Sequence, residues 1–94
     1  MKVFWTRRAL EDLGRIAGYV SKDNPAAAIK VIKSIRKKVA NLADHPKSGR
    51  VGRVAGTREL VVSKFPYVVA YWIVKGEIEI LAVFHGAQKW PKSL

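Results

Sequence analysis

Ninety-four residues, 49% of them hydrophobic, make one domain (residues 1–94) with a modest core and argue against a disordered chain. The absence of cysteine excludes disulfides and thiolate chemistry, and no apolar run approaches the ~18 residues of a membrane-spanning helix. The net charge of +11 is the strongest compositional signal: such an excess repels itself and attracts anions, so nucleic acid or an acidic protein is the expected partner. The opening Met1-Lys-Val-Phe-Trp, soon followed by Arg7-Arg8, does not read as a secretory signal, and a cytoplasmic protein is expected.

Residues 2–6 read as a short strand, with Val3 and Trp5 on one face and Phe4 on the other. Thr6 is a suitable N-cap for the helix that follows, whose first turns carry Glu11 and Asp12, where the helix dipole favours acids. Leu10, Leu13, Ile16, Ala17 and Val20 recur at spacings of three and four and predict its apolar stripe. Asn24-Pro25 starts a second helix, because Asn caps and proline at the first helical position has no amide to leave unpaired. Ala28, Ile32, Ile35, Val39 and Leu42 form its seam in an antiparallel helical hairpin. Lys30, Lys33 and Lys37 lie on another, solvated face. Asp44-His45-Pro46 stops the helix, with His45 in the loop. Residues 46–56 read as a glycine-rich basic loop; its glycines match no phosphate-cradling motif, so no nucleotide site is expected. With two distant histidines and no cysteine, neither a metal site nor a cofactor is expected.

Three strands follow. Val74-Lys75-Gly76-Glu77 predicts a two-residue hairpin turn. Counted back from it, Trp72 falls opposite Glu79, Tyr71 opposite Ile80 and Tyr67 opposite Phe84. One face then carries Tyr67, Val69, Tyr71, Ile73, Ile78, Ile80, Ala82 and Phe84 and packs under the helices. The reverse face carries Val68, Ala70, Trp72, Val74, Glu77, Glu79, Leu81, Val83 and His85. No helix remains to cover that second face, and an exposed apolar patch of this kind marks a binding site. The architecture is α+β: β-α-α-β-β-β, an antiparallel sheet with a helical hairpin on one face.

In that order and spacing, Thr6-x-x-Ala9-x-x-Asp12-Leu13, Leu42…His45-Pro46…Gly49, Arg58-Glu59-Leu60, Pro66-Tyr67-x-x-x-Tyr71 and His85-Gly86-Ala87-Gln88-Lys89-Trp90 resemble the RelE/ParE superfamily of toxins from type II toxin–antitoxin modules. The resemblance covers nearly the whole chain. It implies a toxin neutralised by an acidic, ParD- or RelB-like antitoxin in a hetero-oligomeric complex. In RelE-like members the target is messenger RNA on the ribosome, which they cut; in ParE-like members it is DNA gyrase, which they do not attack as nucleases. RelE-like nuclease chemistry needs cations at the scissile phosphate and groups to move protons. The positions where such enzymes carry lysine or arginine appear here as Glu59, Val61, Val68 and Gly86. What remains as catalytic candidates is Arg58, His85 and Gln88, with Lys89 nearby. Arg58 suits a structural role at the core edge, Tyr67 and Tyr71 suit the core, and Trp90 with Pro91 suits a tail folded back on the sheet. The resemblance therefore leans to the ParE-like, non-catalytic side, with a ribosome-dependent endoribonuclease as the alternative and a degenerate toxin or basic nucleic-acid-binding domain third. The expected partner contacts are Val68, Trp72, Leu81 and Val83 on the uncovered face and Arg50 and Arg53 from the basic loop, with Trp72 as the anchor.

Overall fold

The computed structural model of the chain describes residues 1–62 and 64–87. Strand β1 (Val3–Trp5) leads into helix α1 (Arg7–Asp23) and helix α2 (Pro25–Ala40), which a single 3-10 turn (Asn41–Ala43) extends. Strands β2 (Arg50–Val51), β3 (Arg58–Val61), β4 (Tyr67–Val74) and β5 (Glu77–His85) complete one sheet in the order β1-β5-β4-β3-β2. The sheet is antiparallel from β2 to β5, and β1 joins the far edge parallel to β5. Two details thus differ from the expected arrangement. The sheet is mixed rather than wholly antiparallel, and the basic loop contains a two-residue strand, β2.

Local chemistry builds the hairpin. Thr6 accepts the Ala9 amide at 3.2 Å and donates its own hydroxyl proton to the Ile80 carbonyl at 2.7 Å, so one side chain caps α1 and ties it to β5. Asn24 closes α1 through its amide on Val20 O and opens α2 by accepting from Ala27 N at 3.1 Å. The seam of α2 buries Ala28, Val31, Ile35 and Val39, with Ile32 only partly buried, while Leu42 falls in the 3-10 turn, fully buried. The stripe of α1 is rotated from its expected position: Ala9, Asp12 and Leu13 are buried and Leu10 is 48% exposed. The sheet meets the hairpin with Leu60, Val62, Tyr67, Val69, Tyr71, Ile78, Ile80 and Val83.

The rotation of α1 reflects the buried carboxylate of Asp12, only 3% exposed. Its Oδ2 accepts the Val83 amide at 2.9 Å, while Arg8 Nε reaches Oδ1 at 3.1 Å and Arg15 Nη2 bonds the same oxygen. Val83 lies just past a bulge. Tyr71 faces Ile80, but the next pair is Ala70 with Ala82, so Leu81 is the extra residue. The register beyond it is therefore shifted from the expected one: His85, not Phe84, stands opposite Tyr67, and Phe84 faces Val68. Because side chains alternate along a strand, this slip exchanges the two faces. Val83 turns into the core under the helices, and Ala82 and Phe84 turn to the reverse side, where they join Val68 and Ala70 in a second buried cluster.

Candidate interaction surface

The face of the sheet opposite the helices is organised in rows set by the strand register. One row runs Phe4, Glu79, Trp72 across β1, β5 and β4. The next runs Ala82, Ala70, Glu59, Arg50 across β5 to β2, and the third Phe84, Val68, Val61 across β5 to β3. The centre of this face is not the open apolar flank expected of it. Val68, Ala70, Ala82 and Phe84 are all buried. The Arg53 guanidinium lies over the Phe84 ring, 5.6 Å from its centroid, in cation–π geometry. Three expected partner contacts, Val68, Leu81 and Val83, are accordingly inaccessible, and Val83 faces the helices.

Glu59 organises the basic end of the face. Its carboxylate, 2% exposed, accepts Arg50 Nη2 at 3.0 Å on Oε1, and Arg53 Nε at 3.1 Å and the Arg53 amide at 3.0 Å on Oε2. A carboxylate buried beside apolar neighbours is tolerable only with such complete pairing. The two arginines are thereby fixed on the surface, their side chains 58% and 45% exposed. At the other end Trp72 is 36% exposed and donates its indole N–H to Glu79 Oε1 at 2.6 Å. Trp72, Arg50 and Arg53 are thus the expected contacts that a partner can reach, and exposed Phe4 and Val61 lie on the same face.

Of the catalytic candidates, Arg58 and His85 are each engaged by different partners. Arg58 stands on the helix-side parity, opposite Tyr71, and its Nη1 donates to Gly49 O at 2.7 Å and Lys47 O at 3.3 Å. Tyr71 completes this clamp: its hydroxyl donates to Pro46 O at 2.8 Å and accepts from Gly49 N at 2.9 Å. His85 was expected at the end of the reverse face, but the bulge gives it the parity of Tyr67. It meets that ring edge-on at 5.9 Å, and its Nδ1 accepts the Ala87 amide at 3.1 Å. Gln88, Lys89, Trp90 and Pro91 lie outside the described residues. Among the described residues no cluster of His, Cys, Asp or Glu could hold a metal ion, and no helix is long and apolar enough to cross a membrane.

Sequence reasoning missed the two carboxylates that shape this surface. The spacing Ala9, Asp12, Leu13, Ile16 places an acid on a buried stripe, a signal that it has a partner elsewhere. Glu59, one residue before Leu60 in a strand and close to Arg50 and Arg53, carries the same signal.

Comparison with known proteins points in one direction. The family model described as ParE toxin of type II toxin-antitoxin system, parDE, matches residues 3–90. The chain is 45% identical over 93 residues to the putative toxin Y4kP of Sinorhizobium fredii, spanning 99% of this chain and 96% of that one. It is 37% identical over 87 residues to toxin RelE2 of Caulobacter vibrioides, covering 93% and 97%. A solved structure of the chromosomal ParDE TA system from P. aeruginosa superposes with a TM-score of 0.80 at 31% identity, covering 90% of this chain and 95% of the other.

Proposed function

The chain belongs to the ParE toxin family of type II toxin–antitoxin systems, and from that premise we propose that it is a non-catalytic toxin that inhibits DNA gyrase in the cytoplasm. Membership in such a system implies an antitoxin partner. The observation that carries the gyrase reading is Glu59. It sits in the middle of the reverse face, and both nearby arginines are bound to it. A ribonuclease needs cations free to meet the charge that builds on a scissile phosphate. Here Arg50 and Arg53 neutralise an internal carboxylate instead, and Arg58 and His85 belong to the opposite parity. The antitoxin is read as an acidic segment that neutralises part of the +11 charge and covers Trp72, Arg50 and Arg53.

Two assays on the purified protein test this. In a gyrase reaction it should block supercoiling or trap cleaved DNA, and added antitoxin should reverse the effect. In an in vitro translation system the messenger should stay intact. Messenger cleavage that requires ribosomes, with gyrase unaffected, would overturn the proposal and establish the endoribonuclease alternative.

A further inference from the structure

Between Asn24 and Ala43 the chain has no acidic residue, yet it carries Lys30, Lys33, Arg36, Lys37 and Lys38. At about 100° per residue, Lys30, Lys33 and Lys37 fall within an arc of about 60°. That arc lies on the side of α2 away from buried Ile35 and Val39. All three lysines are exposed, and they climb the helix over about 10 Å. Arg36, also exposed, flanks them. Exposed Ala26 and Ala40 lie near the two ends of the stripe, so small side chains leave the lysines standing proud.

The fold spends its carboxylates elsewhere. Asp12 pairs with Arg8 and Arg15, and Glu59 with Arg50 and Arg53. Among the described residues no cation of α2 forms an ion pair, so this stripe is part of the +11 charge that the chain does not neutralise itself. Its composition separates the classes of polyanion. Protein interfaces are poor in lysine and rich in aromatic side chains. Single strands are held by aromatic stacking platforms. The outward face of α2 has lysines and no aromatic ring, and Ile29 at its flank is the one large apolar side chain of the helix exposed to solvent. A ladder of lysines alone suits the phosphates of a duplex, which carries one charge per ~1.7 Å of its axis.

We propose that the outward face of α2 binds the phosphate backbone of duplex DNA without reading its sequence. Lys30, Lys33 and Lys37 each meet a phosphate, with Arg36 beside them. The choice of DNA over an RNA duplex rests on the gyrase reading, because gyrase works on DNA. The phosphate site itself does not rest on it, and its test contains no gyrase, so either can fail alone.

The probe is a fluorescein-labelled duplex of about 20 base pairs, titrated with the purified chain and followed by anisotropy. Log K should fall by about 3–4 per tenfold rise in salt, the slope for three or four phosphate contacts. Amide resonances of residues 30–41 should shift on binding. Lys33→Gln combined with Lys37→Gln should leave the unfolding midpoint unchanged, since both side chains are exposed. The pair should weaken binding at least about tenfold at about 0.1 M salt and lower the slope by about 2. Lys64→Gln combined with Lys75→Asn removes the same charge from the two strand connections, asparagine being suited to the positive φ at position 75. This second pair should change affinity less than about threefold. Equal losses in the two pairs, or no binding at low salt, would overturn the proposal. Oligothymidylate bound as tightly as the duplex would overturn it by assigning the stripe to single strands. A polyglutamate peptide of equal charge bound as tightly would overturn it by assigning the stripe to an acidic protein. Tighter binding of an RNA duplex of equal length would overturn the choice of DNA.

Discussion

Replacing Asp12 by alanine removes the carboxylate oxygen that accepts the Val83 amide at the β5 bulge. The carboxylate is 3% exposed, so water does not readily take its place. A buried N–H left unpaired costs about 1–3 kcal/mol. The two lost ion pairs add less. The Arg8 and Arg15 side chains are 33% and 64% exposed, and pairs open to solvent to that degree contribute only ~0–1 kcal/mol each. The expected loss for Asp12→Ala is therefore about 2–4 kcal/mol, a large part of the 5–15 kcal/mol of a typical domain. Asp12→Asn keeps an oxygen for Val83 and should lose only about half as much. Urea unfolding of the three proteins gives these differences from midpoints at constant slope. Amide exchange at Val83 should accelerate in the alanine variant and much less in the asparagine one. A loss below about 0.5 kcal/mol for Asp12→Ala, or equal losses for both variants, would refute the assignment of Asp12 as the partner of the bulge.

Two further substitutions probe other parts of the argument. At Gly49 an added Cβ would lie 2.7 Å from both the Tyr71 ring and its hydroxyl, so Gly49→Ala should displace the clamp and cost about 1–3 kcal/mol in urea unfolding; an unchanged midpoint would contradict the contact. Trp72→Ala should leave the fold intact, because the side chain is on the surface. It should also weaken antitoxin binding at least about tenfold by calorimetry, and unchanged affinity would remove Trp72 from the partner surface.

Much of the fold was legible because its signals are local. Thr6 and Asn24-Pro25 start helices where their capping chemistry requires. Lys75 and Gly76 both take positive φ, 52° and 74°, as the two-residue turn demands, so the register next to the turn follows from counting residues. Of the expected partner contacts, Trp72, Arg50 and Arg53 are exposed, as an apolar anchor near a turn and loop cations suggest by type. Val83 turns to the opposite face because the count runs true only until the strand gains a residue, Leu81, whereas Val68 keeps its expected face and is buried there beside the displaced Phe84.

The sequence by itself therefore determined the hairpin of helices, the turn of β4 onto β5, the charge of the surface and the family. Only the tertiary structure decided which way the last four residues of β5 point. That choice depends on a carboxylate 71 residues earlier in the chain, which can hold the Val83 amide only after α1 has docked on the sheet. Likewise, the pairing of Glu59 with Arg50 and Arg53 exists only once β2 has folded against β3. Side-chain spacing along one element carries no information about a bond between elements, whereas a cap or a tight turn is complete within a few residues.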